Sequence, residues 1–587
     1  MKYPYLTPIP ENRETVDTFL GYNHQLRIGG NEFYDLMNMS SDNAPVLTTR
    51  KNRGVYVEGR NPQGMIAKDS LCWVDGSDFV INEYRIDLGL STEADKCPKT
   101  LIGMGAYVII MPDRKYVNTA KLDDYGSIDA EFVSHDQITV CPCLIDGTEF
   151  TPEYIQPEEP PNPSNMAMWM DTSVKPHSLK QWSSAAGMWS SVVTTYVKIK
   201  TSGIGQSFGQ YDGVTISGFA DIQLEDGEQI KELDGSKIIY AADSDSIVII
   251  GLLDVERSFE WQITVTRKMP EMDFIVEHDN RLWGCHYGMS GDKFVNEIYA
   301  SKLGDFKNWD CYMGISTDSY RVSLGSDGPF TGAITHAGYP CFFKENVLHK
   351  IYGQIPANFS VQNTECRGVQ AGCSRSMAIV NEILYYKARH AICSYDGSLP
   401  VEVSTELGEE SYREAIGSAH ANKYYCSMEN TATGERSLFV FDTARKIWMR
   451  EDDPNPIMLC SCRDELYCAC KDGSIITMLG SGDQYEMDFD WMAETGLINA
   501  SGPDRAYLKR ISVRMILEPG SSMDISAQYD SVPDYEPLAH LMGTDLRSFD
   551  IPVRPRRCDH LRLRMTGSGK AMILSITKTM SGGSEKT

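Results

Sequence analysis

The sequence predicts an all-β protein: a β-propeller of about seven blades, carrying a small inserted β domain and ending in a jelly-roll-like β-sandwich. Three observations predict it. Aromatics make up 10% of the 587 residues, with 30 Tyr and 9 Trp, and helical heptads are absent; such residues suit a half-buried pleated surface. Short bulky runs recur, the last four starting at residues 341, 384, 424 and 466, so 40–43 residues apart. A period of about 40–50 residues made of short strands marks a propeller, because one four-stranded blade cannot bury both faces and must stack on its neighbours. The C-terminal region then changes to clean period-two alternation, as in "HLRLRM", which marks a half-buried antiparallel sheet.

The propeller elements follow in chain order. Residues 1–44 are an N-terminal arm, and residues 45–131 the first part of the propeller. The segment "APVLTTRKNRGVYV" from Ala44 is placed to complete the last blade. The bulky runs are "LCWVDG" from Leu71, "YVIIMPDRK" from Tyr107, "RLWGCHY" from Arg281, "CFFKENV" from Cys341, "LYYKAR" from Leu384, "YYCSMEN" from Tyr424 and "LYCACKDG" from Leu466. Each runs into a polar turn, and Asp-Gly pairs such as "YDGSL" readily take the φ > 0 turn conformations. The stretch "DNRLWGCHYGMSGDKFVNEIYASKLGDFKNW" reads as most of one blade plus its exit at Trp309.

One interval breaks the series. From Tyr107 to Leu282 is 175 residues, so residues 132–269 read as an inserted β domain. It opens on a Pro-rich linker, "CPCLIDGTEFTPEYIQPEEPPNPSN". Short strands such as "VVTTYVKIK" and "DSIVIIGLL" then suggest a small barrel or sandwich. Residues 270–484 continue the propeller, 485–580 form the sandwich, and 581–587 are a disordered tail.

The net charge of −26 excludes a protein that reads duplex nucleic acid through a basic surface. No apolar h-region follows the N-terminal Met, and the longest apolar runs fall far short of the roughly 20 residues a spanning helix needs. Assembly in a cytoplasm follows, without membrane insertion, and the 16 Cys read as reduced core residues.

No motif marks chemistry. "TGSGKAM" at Thr566–Met572 lacks the first Gly and the Ser/Thr of a phosphate-binding loop and reads as a hairpin turn. Cys460, Cys462, Cys468 and Cys470 lie on two adjacent strands in C-x-C pairs, poor geometry for zinc. Carboxylates are plentiful but no pair is marked by spacing as a hydrolytic dyad. The expectation is therefore no enzyme, no catalytic residue, no metal and no cofactor. One cluster stands out against the acidic chain: Arg554, Arg556, Arg557, Arg562 and Arg564 in "VRPRRCDHLRLR". It is either solubilising surface or a docking patch for an acidic neighbouring subunit.

Segments such as "EHDNRLWGCHYG", "NEIYASKLGDFKNW" and "GYPCFFKENVLHKIYG" resemble those of bacteriophage tail proteins. A propeller interrupted by an inserted β domain, with an alternating end, is similar to the tail nozzle (tail tubular protein B) of short-tailed phages, over residues 45–580. The resemblance implies a virion component in a homo-oligomeric ring, a hexamer by expectation, that surrounds a DNA exit channel. It implies other tail or adaptor proteins as partners and DNA that passes without tight binding. Two alternatives remain open: a tail-associated receptor or glycan binder, and a propeller glycosidase.

Overall fold

The computed structural model describes residues 11–222, 228–480, 486, 488–498, 506–554 and 556–582. The fold is all-β and propeller-like; among the described residues helix is confined to one α-helical turn, Glu228–Lys231, and six three-residue 3-10 turns. Outside the insertion, the described residues form seven four-stranded sheets. Six are sequential, spanning Pro62–Asp87, Thr100–Ser127, Phe274–Ser323, Gly332–Glu365, Ala378–Glu402 and Tyr412–Glu451. The seventh takes Pro456–Cys462, Glu465–Cys470 and Ile475–Thr477, and its fourth strand is Gly54–Val57 from the other end of the chain.

All seven bulky runs supply the second strand of a sheet. Their neighbours are joined by tight turns. In the Phe274–His278/Arg281–Ser290 hairpin, Asp279 and Asn280 both take positive φ, 50° and 56°. Two consecutive left-handed residues match the twist of the flanking strands, and Asp and Asn tolerate that conformation best after Gly. Trp448 is fully buried, and its indole N–H donates to the Val403 carbonyl at 2.7 Å. Trp309 is likewise buried and donates to the Phe306 carbonyl at 2.9 Å.

The chain divides into two compact units. One comprises Met1–Leu101, Phe330–His349 and Asn363–Thr587; the other comprises Ile102–Pro329 and Lys350–Gln362. The second unit holds the insertion. Its eight-stranded sheet runs from Ala130–Val133 to Thr264–Arg267, and a four-stranded sheet covers Tyr154–Ser191. The Pro-rich stretch is more than a linker. Ile138–Cys143 is a strand, with Pro142 opposite Val197. The neighbouring strand Arg257–Phe259 pairs only as far as Val140, so Pro142 costs no ladder bond there.

In the first unit the C-terminal region builds a ten-stranded sheet around Ala506–Tyr529. This 24-residue strand changes partners midway: Ala506–Leu517 pairs with Ala571–Gly582, and Ser522–Tyr529 pairs with Leu561–Ser568. The break between Leu517 and Ser522 is a register shift, the device by which a strand passes from one layer to another. The segment expected to be an arm joins this sheet, since Glu11–Val16 pairs with Ala571–Gly582 and Phe33–Met37 pairs with Asp490–Thr495. Leu47–Thr49 also pairs here, so "APVLTTRKNRGVYV" is shared between two sheets. "TGSGKAM" is a hairpin turn, with Gly569 at φ 79°. The expected tail lies outside the described residues from 583 on.

Candidate functional site

Within the first unit, three first strands carry a β-bulge: Pro62–Ala67 between Pro62 and Gly64, Tyr412–His420 between Arg413 and Ile416, and Pro456–Cys462 between Pro456 and Met458. A bulge bends its strand and re-aims a side chain, and such features concentrate beside functional sites. All three bulges line one cavity of about 600 Å³, together with the turn Ser374–Ser376. A second cavity of about 550 Å³ adjoins it and shares Arg436 and Lys471.

Sulfur atoms accept two backbone N–H groups, one at the middle bulge and one just past the bulge of Pro62–Ala67. Ala415 N–H donates to Cys373 Sγ at 3.4 Å, and Met65 N–H donates to Met458 Sδ at 3.1 Å. Glu414, at the middle bulge, holds φ 49°. A non-glycine residue there costs about 1–2 kcal/mol, which the packing around it must over-determine. Gly417 lets the same strand run close to the Ser374–Ser376 turn, where an added Cβ would meet the Ser376 carbonyl oxygen at 2.8 Å. Tyr424 donates its hydroxyl to that carbonyl at 2.7 Å and fixes the turn that carries Arg375.

The polar side chains of the site are unevenly matched. Arg436 is nearly buried; it donates to Ser427 Oγ at 2.8 Å and to the Glu414 carbonyl at 3.0 Å. It also stands 3.8 Å from the Glu414 carboxylate and 3.8 Å from that of Asp453. Asp453 accepts the Asn455 N–H on Oδ1, but its buried Oδ2 has no hydrogen-bond partner among the described residues. Gln63 is 4% exposed, and its Oε1 likewise has none among the described residues. Arg375 donates to the Pro98 carbonyl at 3.3 Å; among the described residues no carboxylate lies within ion-pair distance, and burial pushes its pKa below the ordinary value. The first cavity thus offers one buried acceptor, Gln63, and one cation without a counter-charge, Arg375, and the adjoining cavity offers a second acceptor, Asp453.

The five arginines expected at an interface divide into two groups. Arg562 and Arg564 share one strand face and are bound within the chain: both pair with Glu494, at 3.1 and 2.6 Å, and stack over Tyr34 and Tyr535. Arg556 pairs with Glu536. Arg554 and Arg557 are exposed. The four cysteines do not converge. Cys462 belongs to the cluster of Trp73 and Ala469, with Cys460 packed against it, whereas Cys468 and Cys470 join the cluster of Trp448. In the insertion, Cys141, Glu149 and Glu256 could meet at one point, but Lys198 and Lys200 already occupy Glu149.

No family model matches the chain, and no curated protein matches its sequence. Among solved structures it is similar to an exo-β-1,3-galactanase from Phanerochaete chrysosporium, at 7% identity over 52% of this chain and 94% of that one, with a TM-score of 0.21. A glycoside hydrolase family 43 arabinoxylan arabinofuranohydrolase from Bacillus subtilis gives 8% identity, 54% and 96% coverage and a TM-score of 0.17. The extracellular domain of a hybrid two-component system from B. thetaiotaomicron gives 8%, 89% and 95%, and 0.21. The expectation that the chain is not an enzyme is corrected by the hydrolases among these structures. At such TM-scores the likeness supplies neither residues nor chemistry, which come from the cavity itself.

Proposed function

We propose that this chain is a glycan-recognising propeller protein that hydrolyses glycosidic bonds at the bulge-lined cavity. The observation that supports it is the convergence of three bulged strands on one cavity of sugar-binding size, with Glu414 in its lining, Asp453 in that of the adjoining cavity, and the shared Arg436 guanidinium between the two carboxylates. Glycoside hydrolysis works through two carboxyl groups on either side of the scissile bond. Glu414 and Asp453 are the pair assigned here, with Arg436 fixing their orientation. The seven four-stranded sheets are read as the blades of the propeller, and the C-terminal sheet as a jelly roll. The test is release of reducing ends from a panel of oligo- and polysaccharides. Glu414→Gln and Asp453→Asn should each lower the rate at least a hundredfold. A panel that yields no product, or activity untouched by both substitutions, would sink the reading.

A second reading concerns where the protein works: in a phage tail, as a homo-oligomer beside the DNA path. The strand Glu536–Pro552 favours it. This 17-residue strand pairs only with Ala506–Tyr529 among the described residues, and exposes Met542 and Leu546 at 63% and 59%. A long unpaired edge is a template for another chain unless something covers it. Native mass spectrometry should give a closed oligomer, and immunogold labelling should place it on the tail. A strictly monomeric protein absent from virions refutes this second reading.

A further inference from the structure

We infer that the cavity of Gln63 and Arg375 recognises an acidic sugar, a hydroxylated ring that bears a carboxylate. The inference rests on the glycan reading above and names the class of glycan. Three polar groups in or beside the cavity are incomplete, and they ask for opposite things. Arg375 is a half-buried cation that donates to the Pro98 carbonyl and has no carboxylate within ion-pair distance among the described residues. A desolvated guanidinium is held at a cost unless an anion meets it, and its fork matches a carboxylate. Gln63 Oε1 and Asp453 Oδ2 are buried acceptors without donors among the described residues. A carboxylate cannot satisfy them, because it only accepts; a hydroxyl can.

The ligand must therefore accept at Arg375 and donate at Gln63 within the first cavity, and reach Asp453 through the adjoining one. A neutral sugar would serve Gln63 and Asp453 and leave Arg375 as it stands. Sulfate would serve Arg375 and leave the acceptors empty. A sugar acid does both. Lys471 at the rim, shared by both cavities, adds positive potential in a chain of net charge −26. Glu414 works against an anion close to it, which places the carboxylate on the Arg375 side of the cavity and the hydroxyls toward Glu414 and Asp453.

The test is calorimetric titration of the full chain with trigalacturonate, with its methyl ester, and with sulfate. The acid should bind at least about tenfold more tightly than the ester, the scale of one charge-assisted hydrogen-bond pair. Arg375→Met should abolish that preference, and Gln63→Met should weaken acid and ester alike by about tenfold. Lys471→Ala, at an exposed position where folding is not at stake, should lower the preference about threefold. Equal binding of acid and ester would overturn the inference and leave the glycan reading in place. Sulfate binding as tightly as the acid would reduce the site to a simple anion hole and overturn it too. Tight acid binding without bond cleavage would uphold the inference and overturn hydrolysis instead. Binding of neither sugar would overturn the inference, and the glycan reading would then stand or fall on the saccharide panel.

Discussion

Arg562 and Arg564 in the C-terminal sheet, and Arg375 in the cavity, are arginines of one acidic chain with opposite fates. The first two converge on Glu494, which is 4% exposed in its side chain, and each lies over a tyrosine ring. Arg375 has a backbone carbonyl and, among the described residues, no carboxylate within ion-pair distance. The difference teaches that an arginine cluster announces nothing by its sequence density. The visible cluster is largely satisfied by its own fold, whereas the incomplete arginine stands alone in "CSRSM".

The largest effect should come from breaking the satisfied pair. Glu494→Ala leaves two guanidinium groups without their shared carboxylate. Removing one partner of a buried ion pair costs about 3–5 kcal/mol, and the partial exposure of Arg564 lowers the expectation to roughly 2–3 kcal/mol. Denaturant unfolding checks this, and a loss below about 0.5 kcal/mol would erase the contrast with the cavity.

A second effect comes from a base that the fold keeps neutral. His349 is fully buried, and its Nδ1 lies 2.7 Å from Asn363 Oδ1. Burial lowers its pKa, and the charge of Lys344 lowers it further. The unfolded chain then binds a proton that the folded chain refuses. Stability is therefore complete above the unfolded value near 6.5 and falls as the pH drops below it, by at most about 1.4 kcal/mol per pH unit. His349→Gln should flatten that slope between pH 5 and 7. An unchanged slope would assign the acid sensitivity to other groups.

The smaller effect belongs to the cavity. Arg375→Met removes a charge that has no counter-charge to leave behind, so stability should change by less than about 1 kcal/mol and in either direction. A loss as large as that of Glu494→Ala would reveal an intramolecular partner for Arg375 and remove its claim to a ligand.

Much of the fold was legible. The seven bulky runs became second strands because aromatic, β-branched and Cys residues fill both faces of a buried strand, and "HDNR" made the turn its Asp and Asn suggest. The site was not legible. Gln63, Arg375, Glu414 and Asp453 come from four separated segments, and a bulge leaves no mark in residue spacing. "EDDPNP" could have drawn attention, since consecutive carboxylates before a proline-started strand must be sorted by burial. Nor could alternation alone reveal that Arg562 and Arg564 face Glu494, about 70 residues away, rather than another molecule.

The smallest effect on the fold, and the sharpest on assembly, should follow reversal of Arg554 and Arg557 to Glu. Both are exposed and follow the edge strand Glu536–Pro552 in sequence, and neither side chain has a hydrogen bond or ion pair among the described residues, Arg557 pairing with Tyr507 through its backbone alone. Surface changes of this kind move stability by about 0.5 kcal/mol or less. A second copy of a chain with net charge −26 presents mostly acidic surface, so two cations at a docking edge reduce the repulsion that must be overcome on contact. Their reversal adds repulsion instead, screened over roughly 8–10 Å at ordinary salt. The melting temperature should stay put while the oligomer dissociates at low ionic strength and partly recovers at high salt. Arg556 is left intact in this variant because Glu536 already holds it, and its loss would mix a folding effect into the result. If the reversed protein assembles as well as the parent, the two arginines are solubilising surface. The exposed edge would then have to find its cover through Met542 and Leu546 alone.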